Sequence, residues 1–321
     1  GGHTPRVNAT GIVLHTGLGR AVLPREATEA LQDIEGCSSL QIDLETGLRG
    51  RRDRVIEQLL QKITGAEAAT IVGNNAGATL IVLAALAGGK EVIVSRGQLI
   101  EIGGSFRLPD VIRQSGARMV ETGTTNKTHL RDYESAITED TSVLMRVNPS
   151  NYRIIGFSQQ VETRELASLA HDNGLIMVDD LGCGALVDLS RCGLPKEPTV
   201  QDSLAAGADI ALFSGDKLIG GPQSGIIVGR KDLVQKIRKH PLARALRVGK
   251  LTIAAMEATL KLFLNPETLW DKNPTLHMLS LKLDSLRPRA EALAEALQPL
   301  IECEVMESTS ACGGGALPNS G

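Results

Sequence analysis

The segment from Phe213 to Pro222 concentrates more reactive chemistry than any other stretch of this chain. An apolar run, Ala208 to Phe213, reads as a strand and opens onto Ser214, Gly215, Asp216 and a single lysine, Lys217. A glycine pair and Pro222 then turn the chain. Low-dielectric surroundings favour the neutral amine of a lysine, the form that attacks a carbonyl to make a Schiff base. Asp216 could orient that amine or handle a proton beside it, and capping the turn is an equal alternative.

Pyridoxal phosphate is the cofactor that uses such a lysine, and it needs two further groups: an acid for its ring nitrogen and a cradle for its phosphate. Upstream, an apolar run ends in Asp179, Asp180 and a glycine-rich turn. Asp179 is the expected ring partner, with Asp180 pointing the other way because side chains alternate along a strand. The cradle is expected after Ala68–Val72, where Gly73-Asn74-Asn75 leads into small residues. A helix beginning there exposes unpaired amides and the positive end of its dipole. Asn75, Ala76 and Gly77 are the expected donors, with a hydroxyl from Ser214. No Walker pattern competes, since Lys217 is followed by Leu218 and lacks the upstream glycine spacing.

The elements that must position these groups alternate. Strands are expected over 68–72, 91–95, 117–121, 142–147, 175–179, 208–213 and 225–228, mostly as continuous apolar runs typical of strands buried on both faces. Helices are expected over 75–86, 161–173 and 251–264, and Leu279 to Leu300 reads as helical packing interrupted by Pro288. This predicts an α/β fold, a mostly parallel sheet sandwiched by helices, with ligands at the strand C-terminal ends. The expected division is a large domain over 1–240 and a smaller, incomplete C-terminal one over 241–321.

Composition excludes several classes. The net charge of -3 carries no global nucleic-acid signature, and an aromatic content of 2% leaves no platform for stacking bases. No apolar run is long enough to span a bilayer. The five cysteines show no paired spacing, which points away from zinc and towards a reduced, cytoplasmic setting.

Co-ordered motifs over 8–21, 43–50, 95–107, 123–130, 178–182 and 213–229 resemble the L-seryl-tRNA(Sec) selenium transferases, the bacterial selenocysteine synthases. The resemblance implies a fold-type-I pyridoxal phosphate enzyme with Lys217 as its Schiff-base lysine. It implies conversion of seryl-tRNA(Sec) to selenocysteyl-tRNA(Sec) through an aminoacrylyl-tRNA intermediate, with selenophosphate as selenium donor, in at least a homodimer. It points to Arg20, Arg244 and Arg247 for the donor's phosphate, with a solvated basic surface as the plain alternative for the last two. Arg49, Arg51, Arg52 and Arg54 could meet tRNA phosphates or a neighbouring subunit, or simply be solvated. Arg96 is expected on the cofactor ring face, and His15 is left as structural. Gly17 stands where the family pattern has Asn. The family's N-terminal tRNA-binding domain and the rest of its small domain are not in these residues, so a trimmed or partial chain is expected. A related lyase acting on a free amino acid or a phosphorylated amino-sugar acid is the alternative enzyme, and a non-catalytic anion- or tRNA-binding scaffold the alternative class.

Overall fold

The computed structural model describes residues 3–103, 106–149, 152 and 154–315, so parts of the 95–107 motif and the last six residues lie outside it. Helices α1 (Arg25–Asp33) and α2 (Arg54–Thr64) precede the first strand, β1 (Ala68–Val72). The chain continues through α3 (Asn75–Ala87), β2 (Glu91–Ser95), the short hairpin β3 (Glu101–Ile102) and β4 (Phe106–Arg107), and α4 (Leu108–Gln114). Next come β5 (Arg118–Thr122), α5 (Leu130–Ala136), β6 (Thr141–Val147), α6 (Thr163–Asp172) and β7 (Ile176–Gly182). Then follow α7 (Val200–Ala205), β8 (Ile210–Ser214), β9 (Gly225–Gly229) and α8 (Lys231–Lys239). The last helices are α9 (Leu242–Ala245), α10 (Lys250–Leu262), α11 (Pro266–Lys272), α12 (Pro274–Ser280) and α13 (Leu283–Leu297).

Seven strands form one sheet in the order β1-β9-β8-β7-β6-β2-β5. β9 pairs antiparallel with both β1 and β8, whereas the other pairings are parallel. The C-terminal ends of β1, β6, β7 and β8 therefore share one edge. Side chains of Val92, Val94, Val143, Met145, Val178 and Leu212 pack with α3 and α8 on one face. On the other face Leu181, Phe213 and Ile226 pack with α2 and α10, and Leu144 and Met177 with Tyr133 and α6. Residues on α10, α11 and α12, among them Met256, Leu269 and Leu276, belong to the same core cluster as the sheet. Helix α13 differs from its expectation: it forms despite Pro288 but buries no residue, and Leu283 and Leu293 are 53% and 61% exposed.

The segment after β8 is anchored by a residue far along the chain. Asn273 is fully buried and caps α12, accepting from the amides of Thr275 and Leu276. Its Nδ2 donates to the Ile219 carbonyl at 2.8 Å. Gly220 lies against it with φ of +73°, and a Cβ there would fall 2.6 Å from Asn273 Oδ1. Asn273→Ala removes the cap, worth about 1 kcal/mol, and strands a buried carbonyl, worth about 1–3 kcal/mol. The variant is expected to unfold at lower denaturant by a corresponding loss of about 2–4 kcal/mol, read from equilibrium urea titration; an unchanged midpoint would show that the Lys217 segment does not depend on α12.

Candidate active site

A cleft of about 210 Å³ opens at the shared strand edge. Its wall includes Lys217, Asp180, Asn75, Ala76, Ser214 and Arg20, contributed by the turns after β1, β7 and β8 and by the N-terminal segment. Lys217 is 6% exposed although it lies beyond the strand end. Glycine makes this packing possible: a Cβ on Gly215 would lie 2.1 Å from Ser224 Oγ, and one on Gly225 2.1 Å from the Asn74 carbonyl. β9 thus approaches the start of α3 more closely than any side chain would permit.

The acid facing this cleft is Asp180, which corrects the expectation of Asp179. Alternation along β7 holds, but in the opposite sense. Asp180 shares the α3 face, where Asn75 Nδ2 donates to its Oδ1 at 2.8 Å and Thr79 Oγ1 to its Oδ2 at 3.0 Å. Asp179 turns to the other face, taking a bond from Arg146 Nη1 at 3.0 Å and one from Ser203 Oγ at 2.6 Å. Burial pushes the Asp180 carboxyl above the ordinary carboxylate range, against the bonds from Asn75, Gly182 and Thr79 and the charge of Lys217. Thr79 lies one helical turn after Asn75, so the pair reaches the acid from one face of α3.

The helix expected to carry the cradle, α3, begins at Asn75. Asn74 caps α3, its Oδ1 accepting from the Gly77 amide at 2.8 Å. Gly77 is therefore satisfied internally and is corrected as a donor. The first-turn amides of Asn75 and Ala76 remain, as helix geometry requires. Asn75 Oδ1 is buried without a partner. An unpaired buried acceptor at a helix start, beside a buried amine and a buried acid, suits a polar ligand that brings a donor.

Arg20 reaches the cleft with a left-handed backbone (φ 63°) and pairs with Asp216 at 2.9 Å. Asp216 is thus committed to Arg20. Arg96 is corrected: its Nε faces Glu121 at 3.2 Å and its Nη1 the Gly123 carbonyl, on the surface. The aromatic side chain in the cleft wall is Phe106, accompanied by Ile100, Ile102 and Leu108. Arg244 and Arg247 are exposed and do not line the cleft, but the intervening Leu246 accepts from the Gly73 amide at 3.0 Å. They flank the contact to the turn after β1. Burial, then the charges of Arg247 and Arg244, press the Arg52 guanidinium below its ordinary pKa, so these arginines form one positive cluster. Arg52 donates to the Val248 carbonyl at 2.8 Å, Arg51 pairs with Glu57, and Arg54 with Asp43 at 2.9 Å. His15 Nδ1 is buried without a partner, and its ring lies against Gly17.

Sequence reasoning missed Thr79, Asn148 and Gln223, all in the cleft wall. Thr79 was visible in principle from its spacing to Asn75. Asn148 and Gln223 gave no signal, since only the topology brings them to the strand edge.

The raised Asp180 makes a prediction for the protein without ligand. A carboxyl whose folded pKa lies above its unfolded value contributes stability that is present at low pH and lost as pH rises through the folded value. Asp180→Asn keeps the acceptor for Asn75 and removes the ionisation. The cofactor-free variant should lose less stability than wild type between about pH 4, near the unfolded carboxyl's own value, and about pH 8. Paired denaturation curves at the two pH values check this, and equal losses would mean that Asp180 does not resist ionisation.

Comparison with known proteins places the chain. Residues 6–321 match the family model described as L-seryl-tRNA selenium transferase. The L-seryl-tRNA(Sec) selenium transferase of Clostridium perfringens is 50% identical over 318 residues, covering 98% of this chain and 69% of that protein. The Haemophilus influenzae enzyme of the same name is 52% identical over 316 residues, covering 97% and 68%. Among solved structures, D-glucosaminate-6-phosphate ammonia-lyase superposes with a TM-score of 0.68 at 22% identity, covering 88% of this chain and 72% of its own. Aspartate aminotransferase from Thermus thermophilus superposes with a TM-score of 0.56 at 17% identity, covering 88% and 71%. These likenesses establish the fold as that of the fold-type-I pyridoxal phosphate enzymes, and the sequence matches settle the rest: the chain belongs to the L-seryl-tRNA selenium transferase family.

Proposed function

We propose that the cleft binds pyridoxal phosphate through Lys217 and converts seryl-tRNA(Sec) to selenocysteyl-tRNA(Sec), with selenophosphate as the selenium donor. The observation that carries this reading is the meeting of buried Lys217 and buried Asp180 in one cleft beside the open start of α3. When bound, the cofactor supplies an electron sink conjugated to the amino acid's α-carbon. The residues supply everything else. The amides of Asn75 and Ala76 and the Ser214 hydroxyl hold a phosphate at the positive end of the α3 dipole. The Asp180 carboxylate, fixed by Asn75 and Thr79, holds a proton on a ring nitrogen placed against it.

Lys217 Nζ forms no hydrogen bond or ion pair with the described residues, so it is not held away from the cleft by a competing partner. Its free amine takes the seryl α-proton. Arg20 is the group in the wall suited to an incoming phosphate, because its guanidinium fork matches phosphate oxygens. Asp216 holds that fork at 2.9 Å until a stronger anion competes for it. Arg244 and Arg247, next to Arg52 and behind the phosphate turn, raise the positive potential there for the donor or the tRNA backbone. Apolar Ile100, Ile102 and Phe106 exclude water from the wall opposite the strands. At least a homodimer belongs to the same reading: Leu44 and Leu48, on a loop braced by Asp43, are 80% and 69% exposed and offer apolar surface to a second subunit.

The test is to supply pyridoxal phosphate, seryl-tRNA(Sec) and selenophosphate to the protein and to Lys217→Ala. Wild type should form selenocysteyl-tRNA(Sec), and the variant should lose at least roughly a thousandfold in rate, as expected when a covalent anchor and a base are removed together. Borohydride reduction and peptide mapping should place the cofactor on residue 217. A label elsewhere, or pyruvate and ammonia from free serine with the charged tRNA untouched, would overturn the proposal.

A further inference from the structure

Behind the cleft lies a carboxyl that the chemistry above does not use. Glu197 is 9% exposed and stands between Pro195 and Pro198 on the connection into α7. That connection is fixed to the turn after β7 by the Ala185–Thr199 bridge and by the Val200 amide donating to the Ala185 carbonyl at 3.0 Å. A buried carboxylate ordinarily has a cationic partner or several donors. Glu197 makes no ion pair among the described residues: nearby Arg146 gives its Nη1 to Asp179, and Arg146 Nε is buried without a partner. Among the described residues, the one side-chain donor to Glu197 is Asn148 Nδ2, at 3.5 Å. Asn148 is the cleft-wall residue at the end of β6, and its backbone amide is tied to the Asp180 carbonyl at 2.8 Å.

We infer that Glu197 is a positioning residue that acts through Asn148, fixing which end of that amide faces the ligand held at Lys217; this rests on the proposed function of the same cleft. An ionised carboxyl can only accept hydrogen bonds, so it draws the Nδ2 end of Asn148 towards itself and leaves Oδ1 to face the cleft. The wall then presents an acceptor suited to an ammonium or hydroxyl of the bound ligand. A protonated carboxyl can donate instead, to Oδ1, and turns the amide over. The charged and titratable groups around Glu197 are Arg146 on β6, Cys183 after β7 and Cys312 in the C-terminal segment that pairs with Leu14; Lys217, after β8, acts on the two cysteines. Burial pushes the Glu197 carboxyl up, while Asn148 and Arg146 oppose the shift.

The experiment compares wild type, Glu197→Gln, Asn148→Ala and the double variant, all loaded with pyridoxal phosphate. It reads kcat and KM with seryl-tRNA(Sec) across pH, and the visible absorption of the bound cofactor across the same range. Glu197→Gln should lower kcat about tenfold, leave KM within about twofold and remove the acid limb of both the rate and the absorption profiles. In the Asn148→Ala background the same change should cost less than about twofold, and Glu197→Asp should restore part of the wild-type profile. Equal costs in the two backgrounds, or an unmoved acid limb in the absorption titration, would overturn the inference. Should Glu197→Gln not fold, Asn148→Asp serves: two carboxyls at that separation share a proton, so the acid limb should move to higher pH, and a limb that stays put refutes the role. Wild type that takes up no cofactor at Lys217 is a different result, and it removes the proposed function along with the inference.

Discussion

The active edge depends on one buried carboxylate held by two donors from a single helix. Asp180 sits near the end of β7, and the groups that satisfy it, Asn75 and Thr79, lie on α3. A carboxyl so deeply buried would be intolerable without such partners. The same bonds fix the start of α3 against the sheet and so aim its free amides into the cleft. The buried acid and the open start of α3 are therefore one construction seen from two sides. Losing either donor would loosen both.

The lysine side of the cleft depends on a different constraint, the close approach of backbone to backbone. β9 runs against its neighbours and returns from the Lys217 segment directly beneath α3. That return works only because Gly225 has no side chain to meet the Asn74 carbonyl. Asn273 then fixes the far side of the segment by holding the Ile219 carbonyl. Lys217 is thus bracketed by a glycine contact on one side and a side-chain clamp on the other. A flexible four-carbon amine gains its placement from these neighbours rather than from its own packing.

Much of this was legible beforehand. β1 and β2 coincide with the expected spans, because continuous apolar runs bounded by glycine or polar residues leave little choice. Two carboxylates after an apolar run read as a strand end, which favours Asp179, the nearer to the strand, over Asp180. In fact β7 continues through Gly182, and both acids are buried within it. Local sequence cannot say which face of a buried strand carries the ligand, since both faces are apolar. Gly77 was expected to donate to a phosphate, but a cap from Asn74 three residues earlier competes for its amide, which is the ordinary behaviour of such a residue. For Arg96, a position after β2 and the lack of an obvious aromatic stacker point to the ring face, but a surface pairing with Glu121 competes for it. The Leu-rich stretch after Leu279 had the right period for a helix. Periodicity reports that a helix has an apolar stripe, not that anything in these residues covers it.

Charge distribution shows why the overall balance says little about function here. A chain with a net charge of -3 still gathers Arg244 and Arg247 so close to Arg52 that, after burial, their charges help press its guanidinium below its ordinary pKa. Like charges placed together raise the energy of the empty fold, and an arriving anion relieves it. Arg20 follows the opposite arrangement, since Asp216 neutralises it within the cleft. A phosphate that takes Arg20 must displace a carboxylate, which frees Asp216 beside Lys217. Under the proposed function the two groups of arginines divide the work: the outer one attracts anions at a distance, and the inner one yields only to a ligand that reaches the amine.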